Sequence, residues 1–207
     1  MPKLETIRAF VAVNLSVEAT NAVGVLQKRL RTELSGLSMK TSWIRQPNIH
    51  ITMKFLGQID RELGDGVLSA LKRVGDEMES FKVRVGNIGA FPNLGRPRVI
   101  WVGVKDREDR FVALHEAVEM QLETLGFKRD KRAFHPHLTV GRVRRGGEDL
   151  EPIIEKITGE VDVESVVDKM TLYESRLHRG GAEYRVIGHA MFNDRAFVHK
   201  REGHKEG

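Results

Sequence analysis

Two hydrophobic rhythms alternate along the chain, one with a period of three to four residues and one with a period of two. Residues Ile7 to Val13 are almost continuously apolar and predict a strand. Ser16 then offers a side-chain cap to a helix whose Ala19, Val23, Leu26, Leu30 and Leu34 fall on one face. From Ile49 to Leu56 the rhythm drops to two, which assigns Ile49, Ile51, Met53 and Phe55 to the core and His50, Thr52 and Lys54 to the opposite face. A second helix is expected after Asp60, burying Leu63, Val67, Leu71, Val74 and Met78, and Phe81 to Val85 opens another strand.

After the loop "FPNLGRPR" the order returns. Val99 to Val104 reads as a strand, and Phe111, Leu114, Val118, Leu122 and Leu125 form a helical stripe stopped at Gly126. A strand carrying His137 and Thr139 follows, then a short helix around Ile153, Ile154 and Ile157, a strand near Met170 to Tyr173, and a closing strand from Tyr184 to Phe192 beyond the turn "HRGG". Each half therefore reads strand, helix, His-x-Thr strand, helix, strand. The expected fold is α+β: a bilobal, pseudo-twofold arrangement with two antiparallel β-sheets facing a central cleft and helices on the outer faces. Nothing resembles a low-complexity linker, so residues 1–207 are expected to form one domain of two similar lobes.

Composition narrows the chemistry. The 207 residues include no cysteine, which excludes disulfides, thiolate nucleophiles and cysteine-ligated zinc. A formal charge of +5 favours anionic partners such as RNA. No segment approaches the ~20 apolar residues of a membrane span, and the start lacks the order of a signal peptide, so a cytoplasmic location and no membrane partner are expected.

The stretches "NIHITMKFLG" and "FHPHLTVGR" each place a histidine two residues before a threonine. Residues i and i+2 of a strand share a face, so each motif sets an imidazole beside a hydroxyl. Histidine has an ordinary pKa of about 6.5, and a neutral and a protonated copy together supply base and acid. A phosphodiester suits this pair: one imidazole takes a proton from water, the other gives one to the departing oxygen, and Thr52 and Thr139 hold the nonbridging oxygens. Two ionisations near neutrality are then expected. Arg142 is a candidate for offsetting phosphate charge. Strict alternation puts Arg142 on the face opposite His137, so this role requires a bulge or strand end around Gly141. Phe10, Trp43 and Tyr184 are candidates for stacking on bases, against the plainer reading of core packing.

Three alternatives remain open from the residues. His50, His135 and His137 would supply a three-histidine zinc site; the groove would bind RNA ends without turnover; or the substrate would be a small cyclic nucleotide. His115, His178, His189, His199 and His204 are read as surface or structural residues.

With "IRAFVAV", "RVIWVGV" and "LYESRLHRGGAEYRVI" added to the two motifs, the sequence resembles the two-histidine phosphoesterases. Within them it resembles the RNA 2′,3′-cyclic phosphodiesterases once named 2′-5′ RNA ligases. The resemblance implies hydrolysis of an RNA-terminal 2′,3′-cyclic phosphate to a 2′-phosphomonoester without metal or cofactor; the chain is expected to be a monomer. It makes His50 the proton donor and His137 the proton acceptor, and it implies reversible 2′-5′ ligation of RNA such as tRNA halves. Pro47 departs from the family pattern, which has an acidic residue there.

Overall fold

The computed structural model describes residues 5–193 except 158, 160, 179 and 180; His199, His204 and part of the "HRGG" turn lie outside the described residues. The first apolar run forms β1 (Thr6–Val13). The Ser16 hydroxyl accepts a hydrogen bond from the Ala19 amide at 3.2 Å and so opens α1 (Val17–Glu33), whose Ala19, Val23, Leu26 and Leu30 are buried as their spacing predicts. Then come β2 (Lys40–Trp43), β3 (Ile51–Asp60), α2 (Arg61–Glu77), β4 (Phe81–Phe91), β5 (Val99–Asp106) and α3 (Arg110–Glu123). The remaining elements are β6 (His137–Arg145), α4 (Glu151–Ile157), β7 (Val163–Val167), β8 (Lys169–His178) and β9 (Gly181–Met191). Past the end of α3, Gly126 has φ 87° and the Phe127 amide turns back to the Leu122 carbonyl at 3.2 Å, a glycine stop of the expected kind.

The described strands pair antiparallel, in the order β7-β4-β5-β6-β3-β1-β8-β9, with β2 added on β6. β3 and β6 meet at a single register pair, Ile51 with Leu138. That seam separates β3, β1, β8 and β9 from β6, β5, β4, β7 and β2. The two groups do not divide the chain at its middle: β8 and β9 return to join β1 and β3, while β2 and β4 join strands that follow them. α2 packs on β3, β8 and β9, α3 packs on α2 and β3, and α1 packs on β7. The core runs under both groups and includes Val23, Leu30, Ile51, Leu71, Phe111, Leu114, Leu138 and Leu172, each essentially inaccessible. This two-group layering brings the ends of β3 and β6 that bear the two motifs side by side.

Two strands escape the hydrophobic pattern. β2 is four residues long with a polar sequence, KTSW, and β7 follows α4 closely. A further difference concerns Phe55, which alternation assigns to the core. It is 65% exposed, whereas Lys54, assigned to the polar face, is 8% exposed. The cause is a bulge.

Candidate active site

In β3, Ala12 pairs with Thr52 but Val11 pairs with Lys54, so Met53 is an extra residue. In β6, Trp101 pairs with Thr139 but Ile100 pairs with Gly141, so Val140 is an extra residue. An inserted residue shifts the alternation by one. Both bulges therefore fall directly after the motif threonine, and both turn the residue five places beyond the histidine toward the cleft. That residue is Phe55 in one strand and Arg142 in the other. A cavity of about 1170 Å³ is lined by Thr52, Phe55, Phe91, His137, Thr139 and Arg142 among others. The bulge that an Arg142 role in the cleft requires is thus present.

His50 sits behind Thr52. Its Nδ1 donates to the Asn48 carbonyl at 2.8 Å, which leaves Nε2 to meet the Thr52 hydroxyl at 3.1 Å. Asn48 ends a short helical turn, Gln46–Asn48, that includes Pro47, and its side-chain amide donates to the Ala182 carbonyl at 2.7 Å. Pro47 thus belongs to the turn that fixes the carbonyl orienting His50. The imidazole lies on the Phe10 ring, with centroids 4.9 Å apart, and Tyr184 meets it edge-on at 5.3 Å. Tyr173 stacks with both rings, 5.3 Å from Phe10 and 6.3 Å from His50, with its hydroxyl donating to Asn14 Oδ1 at 2.8 Å.

His137 is held in the same way at one end and differently at the other. Its Nδ1 donates to the His135 carbonyl at 2.6 Å, so Nε2 is again the nitrogen available for chemistry. Its ring meets the edge of Phe91 at 5.0 Å and lies 6.3 Å from Trp101. Trp101 lies flat across Gly89, where a Cβ would collide with the indole, and this contact needs the glycine.

Burial pushes the His50 pKa down to about 4, with the charges of Arg142 and His137 adding to the fall and the Asn48 hydrogen bond opposing it. His137 is also lowered, by burial first, against its bond to His135, with Arg142 and His135 adding to the fall. Desolvation and a shared cation thus move both imidazoles of the free protein below the ordinary histidine pKa, His50 the further. Because Arg142 acts on both, its guanidinium belongs to the field of both rings.

The remaining candidates divide. Phe10 is 3% exposed and packed among His50, Tyr173 and Tyr184, so it supports an imidazole and offers no surface to a base. Trp43 packs beside Gly141 and against the core and is not part of the cavity wall. Tyr184 stays beside His50; burial raises its hydroxyl pKa, and Arg142 and Arg8 moderate the rise. Among the described residues no three His, Asp or Glu side chains are grouped to hold a metal ion, so His50, His135 and His137 do not assemble a three-histidine centre. His115 is buried and stacked on Phe134 at 4.3 Å, His178 pairs with Glu183 at 3.2 Å, and His189 hydrogen-bonds Thr171 at 3.0 Å. The hydrophobic pattern does not mark Phe55, Phe91, Trp101 and Tyr173 as parts of the site. Their apolar character reads as core until the strand register is known.

Residues 40–179 match the family model of the 2′-5′ RNA ligase superfamily. The chain belongs to that superfamily. Among its relatives is a protein named RNA 2′,3′-cyclic phosphodiesterase from Archaeoglobus fulgidus, 37% identical over 86% of this chain and 97% of that one. A protein of the same name from Thermotoga maritima is 30% identical over 90% of this chain and 96% of that one. The crystal structure of TT0787 of Thermus thermophilus superposes with a TM-score of 0.74 at 25% identity, covering 91% of this chain and all of that one. E. coli LigT complexed with 3′-AMP shares the fold, with a TM-score of 0.70 at 22% identity over 92% of this chain and all of that one. The α+β architecture of antiparallel strands and outer helices is thus that of a 2′-5′ RNA ligase superfamily member. No helix among the described residues is long and apolar enough to cross a membrane.

Proposed function

We propose that this chain is an RNA 2′,3′-cyclic phosphodiesterase that opens a terminal 2′,3′-cyclic phosphate to a 2′-phosphomonoester. The observation that carries the reading is the pair of Nδ1-anchored imidazoles under the field of one arginine, with Thr52, His137, Thr139 and Arg142 on the wall of one cavity. The names of the relatives supply the substrate class. His137 Nε2 accepts a proton from water as the water oxygen bonds to phosphorus. The bond from phosphorus to the 3′ oxygen breaks, and His50 gives that oxygen a proton. Thr52 and Thr139 hold nonbridging oxygens, and Arg142 offsets the charge that develops on them.

Both imidazoles are neutral in the free protein near neutral pH, so His50 gains its proton as the anionic phosphate enters and offsets the influence of Arg142. Phe55 offers its exposed ring to the base. RNA ends are the partner class, and when a 5′-hydroxyl RNA end, such as that of a tRNA half, replaces water, the same ring opening bonds the 5′ oxygen to phosphorus, frees the 3′ oxygen as a hydroxyl and leaves a 2′-5′ linkage that the reverse reaction cleaves. The protein works as a monomer in the cytoplasm. The test is incubation of an oligoribonucleotide ending in a 2′,3′-cyclic phosphate with the protein in EDTA, with the product identified by ³¹P NMR. A 2′-phosphomonoester is expected; an intact cyclic end, or activity that returns only with added zinc, overturns the reading.

A further inference from the structure

One ion pair is buried beside the cleft and takes no part in the chemistry above. Lys54 and Glu119 are 8% and 3% exposed. The lysine Nζ donates to both carboxylate oxygens, at 2.7 and 2.6 Å, and to the Lys128 carbonyl at 2.8 Å. The same carboxylate accepts the Asp130 amide at 3.1 Å. Lys54 stands two residues after Thr52 on β3, Glu119 is on α3, and Lys128 and Asp130 belong to the loop that leads to His137. A single pair of side chains thus ties the strand of the first motif to the backbone that delivers the second.

The loop has few other anchors. Among the described contacts, Phe134 stacks on His115 at 4.3 Å and the Pro136 carbonyl accepts the Val104 amide at 3.2 Å. Between these lies His135, whose carbonyl takes the His137 Nδ1 proton at 2.6 Å. A shift of the loop therefore moves the group that sets the tautomer and direction of His137. Two apolar side chains of similar volume fill such a site as well or better, because a buried ion pair must recover the loss of both hydration shells. What apolar residues cannot do is bond to a carbonyl and an amide of the loop. The bulge at Met53, which turns Lys54 inward, makes the connection possible.

We propose that the Lys54–Glu119 pair is a positioning device that holds the His135–His137 backbone in register with the first motif. This rests on the phosphodiesterase reading only for its kinetic readout. In the charge-free double variant Lys54→Met/Glu119→Leu, we expect a melting temperature near that of the wild type and little change in KM. Turnover of a 2′,3′-cyclic phosphate falls by about 10²-fold, the cost of a misplacement of about 1 Å in a catalytic group. Imidazole ¹⁵N NMR, read without substrate, shows the His137 Nδ1–H signal displaced while that of His50 stays in place. The charge-free Lys54→Met/Glu119→Gln keeps an acceptor for Asp130 and serves if the first double variant does not fold, with the same pattern in smaller degree. A stable variant with wild-type turnover and an unmoved His137 signal overturns the proposal. If the wild type opens no cyclic phosphate but the His137 signal still moves in the variant, the positioning role stands and the reaction assignment falls.

Discussion

The two His-x-Thr strands share spacing, a bulge after the threonine and a backbone carbonyl on Nδ1, yet their surroundings differ. His50 is enclosed by Phe10, Tyr173 and Tyr184 and bonds its own threonine, and its pKa falls to about 4. Among the described rings, Phe91 and Trp101 lie beside His137, and the imidazole itself lines the cavity. At the equivalent place past each bulge, one strand presents a phenyl ring and the other a guanidinium. The two motif strands thus share a local frame, and side-chain choice makes its two sides unlike: on the proposed reaction, one side suits a base and a leaving group, the other a phosphate and an attacking water.

The sharpest way to break the comparison is to remove each imidazole. His50→Ala and His137→Ala should each lower single-turnover cleavage of the cyclic phosphate by about 10²–10⁴, the usual worth of one proton-transfer group. Arg142→Gln should lower turnover by about 10²–10³, the scale seen when one donor to a developing oxyanion is lost. The same substitution removes a charge that holds both imidazoles down, so both pKa values should rise, as read by imidazole NMR of the free protein. Phe55→Ala should raise KM about tenfold or more with turnover little changed, since stacking of a base on an aromatic ring is worth ~1–3 kcal/mol.

The smallest effect is on stability. His50 has a folded pKa of about 4 against 6.5 ordinarily, so between these values the unfolded chain binds more protons and the folded state loses stability as pH falls. The loss amounts to about 3 kcal/mol for a shift of this size. Denaturant melts at pH 7 and pH 4 should show it, and His50→Gln should remove that part of the difference.

Much of this arrangement was legible in the sequence because burial leaves a period. The helix stripes, the Ser16 cap, the glycine stop at Gly126 and the doubled motif are local signals, and each follows from backbone geometry over a few residues. The bulges are not local: whether Met53 and Val140 are extra residues depends on the partner strands, β1 and β5, to which the alternation of β3 and β6 does not refer. Phe55 and Lys54 consequently exchange faces relative to the simple reading, and the Arg142 difficulty resolves by the same means. Phe10 illustrates the other limit. An aromatic ring beside a motif histidine reads equally as a platform for a base or as the floor beneath the imidazole, and its 3% exposure separates the two.

The division of labour between the two imidazoles is the central claim, and a substrate with sulfur in place of the 3′ oxygen tests it most directly. Such a leaving group departs without being protonated, so it relieves the need for an acid while leaving the need for a base. Single-turnover cleavage of this substrate should be largely restored in His50→Ala and remain as low as with the oxygen substrate in His137→Ala. Restoration in His137→Ala alone, or in neither variant, would contradict the assignment of His50 as the proton donor.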